Sequence, residues 1–354
     1  MAGTMKAFLL MFVVQAAFAG NNILYKIVIF DGMPVSIITV YRQIISAAFT
    51  LSLAFIFERN NMPNLTFKLL SISFLNGLLG GSLYQNLYFE SLSLISATFV
   101  TALFNLIPAI TFALAILFGL ETLDFHAIAC KVKVMGTVIG IGGAMFVTFL
   151  KSVELSIWPF HFNILNKKEI ETHSGSKVLG ICFGFVSCIL FSFWLIFQGK
   201  MSKSKTYPQH YTSMALMSMM AALQATAYAL CVERDWSQWR LGWDLRLLTV
   251  VFSGTMGTGF ANVVIAWSVR KKGPLFAALF SPVELILVVI AGSIMLDEPL
   301  YLGSLIGGVL IVVGLYMVLW GQNKELQMTT QLEAEHIEGA NTMGTWRALE
   351  GDAR

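Results

Sequence analysis

Residues 81–121 and 257–298 carry the same residues at a series of matching positions. The first copy reads GSLYQNLYFESLSLISATFVTALFNLIPAITFALAILFGLE and the second GTGFANVVIAWSVRKKGPLFAALFSPVELILVVIAGSIMLDE. At an offset of 176 residues and without a gap, Gly81 falls on Gly257, Asn86 on Asn262, and Ala102-Leu103-Phe104 on Ala278-Leu279-Phe280. Each copy continues with a proline (Pro108, Pro282), an apolar run and a carboxylate, Glu121 or Glu298. The echo resumes as Gly136-Thr-Val-Ile-Gly140 against Gly303-Ser-Leu-Ile-Gly307. An ordered series of this kind marks an internal duplication, so the two halves must share one fold.

That fold is a membrane fold. Apolar residues make up 56% of the chain and charged residues 12%, against roughly a half and a quarter in soluble domains. Nearly uncharged runs long enough to cross a ~30 Å hydrocarbon core recur along the chain. The pattern predicts an all-α membrane protein of ten spanning helices, at about 7–30, 34–57, 67–90, 95–118, 133–150, 178–199, 210–232, 246–269, 275–296 and 300–320. Residues 1–150 then form the first five-helix half, 151–177 a polar connection, 178–320 the second half and 321–354 a polar, disordered tail. Lys6 and Ala17-Phe18-Ala19 superficially resemble a signal peptide, but apolar character runs on to Phe30 and the duplication requires five helices per half. The lipid bilayer is thus a partner. A net charge of +3 spread over many loops makes no case for nucleic acid. Cys130, Cys182, Cys188 and Cys231 lack metal-ligand spacing and read as packing residues, so no metal or cofactor is expected.

Loop cations set the orientation. With a cytosolic N-terminus, ten Lys and Arg fall in inside loops, Lys131 and Lys133 among them, and seven in outside loops. The short outer turns near 31–33, 91–94 and 297–299 carry none. Both termini are therefore expected in the cytosol. Five is odd, so the second half enters the membrane inverted with respect to the first. Inverted halves can exchange conformations around a shared midplane site, which a carrier needs and a scaffold does not.

Polar groups within the spans are few and costly, so each needs a reason. Arg42 and Glu284 stand out. Glu284 sits near mid-membrane just after Pro282, and Asn105 holds a similar place before Pro108. Proline frees carbonyls by removing a helical hydrogen bond, which suits the wall of a cavity. The candidate substrate-binding residues are Asn22, Arg42, Gln85, Asn86, Asn105, Asn262 and Glu284. Arg42 would fork a substrate carboxylate, with Glu284 across the cavity receiving an ammonium group or a proton. Blander roles compete. Lys26 reads as snorkelling to the interface, and Trp194 and Trp267 as belt or cavity residues. Asn86 and Asn262 suit bonding across helices as well as touching substrate. Glu121 and Glu298 read as structural carboxylates at helix ends. The glycine faces Gly136/Gly140 and Gly303/Gly307 permit close helix contact. Packing within the chain is their first reading, and a homodimer through these faces the second.

Several of these stretches resemble the plant nodulin-like branch of EamA-type proteins in the drug/metabolite transporter superfamily, called WAT-related or UMAMIT transporters. The resemblance lies in Asp31-Gly-Met-Pro34 with Tyr41-Arg42, Gln85-Asn-Leu-Tyr88, Pro108-Ala-Ile-Thr-Phe112 and Gly142-Gly-Ala-Met145. In the second half it lies in Trp239-Arg-Leu-Gly-Trp-Asp244, Lys271-Lys-Gly-Pro274, Phe280-Ser-Pro282 and Leu296-Asp-Glu-Pro299. It implies a carrier or exporter of amino acids, or of auxin and related compounds, at the plasma membrane ahead of the tonoplast. Glu284, and Asn22 with Lys26, depart from the branch's commoner pattern at positions where specificity is set. A small zwitterionic or weakly acidic solute is the expected substrate, amino acids ahead of auxin. A channel and a membrane enzyme are the rivals, and the enzyme is disfavoured because His126, His161, His173, His210 and His336 all fall in loops or tail.

One consequence of the orientation can be checked directly. Asn64-Leu65-Thr66 is the one N-x-[ST] sequon and falls in a cytosolic turn, so the protein expressed through the secretory system remains unglycosylated at Asn64. A glycosidase-sensitive mass shift that disappears in Asn64→Gln would invert the topology.

Overall fold

The computed structural model describes residues 2–61, 66–95, 97–120, 128–149, 154–155, 174–202 and 209–295, with 300–301, 303, 306–310, 312–318, 320–321 and 324 towards the end. The sequon at Asn64, the carboxylates Glu121 and Glu298 and most of the 151–177 connection lie outside these residues. Helices dominate: α1 Ala2–Phe30, α2 Val35–Phe57, α3 Phe67–Gly77, α4 Leu83–Leu94, α5 Ala97–Phe104, α6 Ile107–Leu117 and α7 Ile128–Phe149 come from the first half. The second half supplies α8 Ser174–Ser202, α9 His210–Val232, α10 Leu245–Phe252, α11 Ala261–Lys272, α12 Pro274–Ala278 and α13 Ser281–Met295. A last apolar helix runs over Ile306–Val318. One small departure from an all-helical chain is an antiparallel pairing of Glu154–Leu155 with Leu300–Tyr301.

Six helices among the described residues are long and apolar enough to cross a membrane: Met5–Phe30, Val35–Phe57, Lys177–Ser202, His210–Val232, Leu245–Lys272 and Pro274–Ala291. The expected ten are not all matched by length and composition. Residues 67–94 carry Asn76, Gln85, Asn86 and Glu90, and 97–117 are broken at Asn105–Leu106. Neither stretch presents one long unbroken apolar helix.

Helix ends follow local chemistry. Gly32 (φ 85°) closes α1: its N–H reaches Ile29 O at 3.0 Å and the Met33 N–H reaches Val28 O at 3.2 Å. Only glycine takes that left-handed conformation without strain, and the two bonds satisfy carbonyls the helix leaves open. Gly273 (φ 91°) stops α11, and Pro274 begins α12 at a position where its missing N–H costs nothing.

The duplication is visible in the irregularities. A π-helical turn at Leu78–Ser82 joins α3 to α4, and another at Ser253–Phe260 joins α10 to α11. The 176-residue offset carries the first turn into the second. Such turns widen the helix and leave carbonyls without their usual donors. In the first turn Gln43 Nε2 donates to Gly81 O at 2.8 Å. The fourth helix of each half is broken as well, between α5 and α6 and between α12 and α13, with Pro108 and Pro282 at the second position of the new segment. These breaks coincide at an offset of 174, so the repeated Ala-Leu-Phe is not in structural register. By the breaks, Glu284 is the counterpart of Ile110.

Packing obeys the same exchange of halves. Helix α2 packs on α9, α1 on α13 as α6 does on α8, and α2 on the second π turn as α9 does on the first. One apolar core runs through both halves, from Val14 and Ile38 to Leu279 and Val288. Tight crossings rest on glycine. A Cβ added at Gly80 would lie 2.6 Å from Trp194 Cε2, and one at Gly136 would lie 2.7 Å from Gly314 O. The Gly136 face thus packs within the chain. Lys133, read above as a loop cation, is 1% exposed inside α7, because α7 begins earlier than the apolar run announces.

Cross-contacts sort the turns into two ends. At one end Arg246 Nε pairs with Asp31 Oδ2 at 2.7 Å, Tyr41 OH donates to Trp239 O at 2.6 Å, and Ser91 Oγ donates to Gly180 O at 2.7 Å. We refer to this as the Asp31 end. At the other, the Gly273 end, the Glu58 carboxylate accepts from Tyr211 N and Thr212 N at 3.1 and 2.7 Å and so caps α9.

The glycine crossings separate two substitutions of equal chemistry. Gly136→Ala drives a methyl into the Gly314 backbone and lowers stability by about 1–3 kcal/mol, whereas Gly142→Ala meets no atom within 4 Å. Thermal unfolding in detergent should show a clear drop for the first and none for the second.

Candidate functional site

Helices of both halves surround a central cavity with about 660 Å³ of empty space, its open mouth included. Helix α1 gives it a stripe at alternating spacings of four and three: Met11, Gln15, Phe18, Asn22 and Tyr25. Helix α4 gives two adjacent pairs one turn apart, Tyr84-Gln85 and Tyr88-Phe89, because the π turn before it rotates that face inward. Arg42 enters from α2, Phe191 and Leu195 from α8, and Ser281 with Glu284 from the first turn of α13. The α12–α13 break therefore carries Glu284 to the cavity.

Two separate polar clusters hold the charges. Asn22 Nδ2 donates to Glu284 Oε1 at 2.8 Å, and Tyr88 OH donates to Asn22 Oδ1. The amide is engaged both as donor and as acceptor, which fixes the carboxyl group across the two halves. Arg42 does not pair with Glu284. Its Nη2 donates to Gln85 Oε1 and its Nη1 to Tyr25 OH at 3.4 Å, and its guanidinium carbon lies 4.6 Å from the Phe89 ring centroid. Gln43 Nε2 donates to the same Gln85 oxygen at 2.6 Å, and Gln85 Nε2 donates to Tyr84 OH at 2.9 Å. A neutral amide, a phenol and aromatic faces thus hold a buried cation, an arrangement in which the ring quadrupole replaces part of the lost water. Arg42 is 4% exposed and Glu284 6%.

Three buried polar atoms in this cavity have no partner: Arg42 Nε, Gln15 Oε1 and Asn21 Oδ1. Orphaned buried groups are uncommon, and when they converge on one space they mark where a ligand or water bonds. Among the described residues no three His, Cys, Asp or Glu side chains come together as a metal site.

The structure thus brings four of the seven sequence candidates together, Asn22, Arg42, Gln85 and Glu284. Asn86 instead donates to Ser82 O at 2.9 Å, one turn back along its own helix. Asn105 donates to Thr101 O at 3.3 Å and faces a smaller space beside Pro108 and Pro282. Asn262 is buried away from the central cavity. Lys26 does not snorkel: its Nζ donates to Leu92 O at 2.8 Å and Ile95 O at 3.0 Å, where α4 leaves its last carbonyls open. Trp194 is neither a belt nor a cavity residue, since its indole N–H donates to Asn76 Oδ1 at 3.0 Å within the core. Tyr25, Tyr84 and the aromatic wall were not singled out from the sequence. The signal was present in the four-and-three spacing of α1, hidden because most of the other positions there are apolar too.

The comparisons with known proteins fall on this architecture. Residues 5–149 and 178–320 each match the EamA-like transporter family. The chain belongs to that family. Its EamA segments divide the chain where the duplication does. Among relatives, the WAT1-related protein At1g68170 of Arabidopsis thaliana is 40% identical over 328 residues, covering 91% of each chain. The WAT1-related protein At1g25270 is 36% identical over 337 residues, 94% of each, and At5g07050 is 37% identical over 92% of this chain and 82% of its own. A solved structure, titled only as a crystal structure of a protein, superposes with a TM-score of 0.62 at 16% identity, covering 88% of this chain and 98% of its own. The EamA fold is therefore shared well beyond detectable sequence likeness, and the protein is a multi-pass membrane protein of a transporter family.

The Asn22–Glu284 link yields a measurable coupling. Asn22→Leu leaves the Glu284 carboxyl and the Tyr88 hydroxyl without their partner and lowers stability by about 1–3 kcal/mol per stranded group. Asn22→Leu combined with Glu284→Leu loses clearly less than the sum of the single variants. Unfolding of the EamA protein in detergent measures the cycle, and strict additivity would show the two groups to be independent.

Proposed function

We propose that the protein is a carrier that moves small organic solutes across the membrane by alternating access, with amino acids as the first substrate class and auxin-like weak acids as the second. The observation that carries this reading is the set of unpartnered atoms in one buried cavity. Arg42 Nε is a cationic donor without an acceptor, while Gln15 Oε1 and Asn21 Oδ1 are acceptors without a donor. A zwitterion supplies both: its carboxylate to Arg42, its ammonium to the α1 acceptors and Glu284. Because Arg42 and Glu284 are not paired with each other, neither charge has to be pulled from the other before solute binds.

A ten-span, five-plus-five inverted arrangement is part of the proposal. It is supported by the matched π turns, the matched helix breaks and the sorting of turns to two ends. The Asp31 end is then extracytosolic and both termini cytosolic, with the plasma membrane ahead of the tonoplast. A homodimer through Gly136/Gly140 and Gly303/Gly307 remains a proposal for which Gly136 is already engaged by Gly314. No enzymatic reaction is proposed, because the family is one of transporters.

Counterflow in proteoliposomes tests the reading. Labelled amino acid should accumulate when unlabelled substrate is present on the opposite side, which a channel does not give. At matched surface expression, Glu284→Gln should cut zwitterion exchange at least about tenfold, the effect of losing one charge-assisted contact. Arg42→Lys should weaken exchange despite keeping the charge, since an ammonium cannot reproduce the guanidinium fork. Wild-type exchange in both variants would remove the cavity from the mechanism.

A further inference from the structure

The first helix of each half can be superposed through its contacts. Phe12-Val13 and Phe18 of α1 recur as Phe185-Val186 and Phe191 of α8, at an offset of 173. The cavity confirms that register, since Phe18 and Asn22 line it from one side and Phe191 and Leu195 from the other. By the same offset Lys26 corresponds to Gly199. The two positions occupy equivalent places in the fold. Lys26 lies against the junction of α4 with α5, and Gly199 against the junction of α11 with α12, where a Cβ would stand 3.5 Å from Pro274 Cδ.

At these places the two ends of the molecule differ in chemistry. At the Asp31 end, Lys26 Nζ donates to Leu92 O at 2.8 Å and to Ile95 O at 3.0 Å, and lies 5.4 Å from the Phe30 ring centroid. These carbonyls form the negative end of α4, where an ammonium is favoured by charge as well as by hydrogen bonding. The contact lies at the edge of the cavity, next to Tyr25 on α1 and about one turn past Tyr88-Phe89 on α4. At the Gly273 end the equivalent contact is glycine against proline and Leu120, and among the described residues no side-chain hydrogen bond joins α8 to α12 there.

We propose that Lys26 is a positioning residue that latches the cavity shut at the Asp31 end and so biases the protein towards the state open at the Gly273 end. The inference rests on the carrier reading, because only alternating access requires the two ends to part in turn. Opening the Asp31 end separates α4 from α1 and breaks both Lys26 bonds. Parting the equivalent junction at the Gly273 end separates Gly199 from Pro274 and Leu120, the Glu58 and His210 bonds of that end joining α9 to α2 and to α11 instead.

The test uses the full chain in oriented membrane vesicles, with Cys130, Cys182, Cys188 and Cys231 replaced by serine and Phe18→Cys as a reporter in the cavity wall. A membrane-impermeant maleimide is applied from each side in turn. Lys26→Met should raise the ratio of Asp31-side to Gly273-side labelling about tenfold through a shift in population, while Lys26→Arg keeps the wild-type ratio. An unchanged ratio, or labelling that rises equally from both sides as simple loosening would cause, overturns the latch. Should Lys26→Met not reach the membrane, Lys26→Gln keeps N–H donors on a stem too short for both carbonyls, and the same ratio decides. Labelling needs no transported solute. A shifted ratio without counterflow of any solute supports the latch and sinks the carrier reading. Normal counterflow with an unchanged ratio sinks the latch alone.

Discussion

A carboxyl group inside a membrane-spanning bundle has to be held, and the bond from Asn22 to Glu284 does so. It joins residues 262 positions apart and ties α1 of the first half to α13 of the second. Everything around it serves that contact. The α12–α13 break sets Glu284 in the first turn of a new helix, pointing into the cavity. Tyr88 engages the amide oxygen, so Asn22 cannot turn away without stranding both neighbours. An isolated charge buried in low dielectric is prohibitive, while a hydrogen-bonded carboxyl in a polar cavity is tolerable.

Arg42 solves the opposite problem by different means. It lies in the same cavity but rests on Gln85, Tyr25 and the Phe89 ring. Keeping the cation and the carboxyl in separate cradles leaves the cavity polar along its length. A direct ion pair would have consumed the donors and acceptors that a solute can use. The aromatic side chains Tyr84, Phe104 and Phe191 add a largely apolar wall to the same cavity.

The scaffold is symmetric and the chemistry is not. Both halves carry a π turn in the third helix and a proline-marked break in the fourth. The glycines that let these irregular helices approach, Gly77 and Gly80 in one half and Gly254 and Gly257 in the other, fall within or beside the two turns. Yet Glu284 faces Ile110 across the duplication, Asn22 faces Leu195 and Lys26 faces Gly199. Such an arrangement follows when a duplicated backbone is retained while one copy of each site position is free to diverge.

The amino-acid sequence by itself determined the membrane class, the duplication, the turn at residues 31–33 and the irregularities near Pro108 and Pro282. These depend on composition, on local backbone preference and on proline's missing N–H, all of which act within a few residues. It also marked Arg42 and Glu284, because ionisable groups in apolar spans are rare. Their partners were beyond its reach. Nothing near Glu284 in the chain points to Asn22, and Asn86, as polar as Gln85 beside it, turns to its own helix because a helix sends adjacent residues about 100° apart. Lys26 read as an interfacial residue until the end of α4 was seen to lie against it. Which polar groups meet is set by how α1, α2, α4 and α13 pack, and in this chain the decisive hydrogen bond closes a loop of 262 residues, a separation at which local preference carries no information and only the tertiary structure can decide.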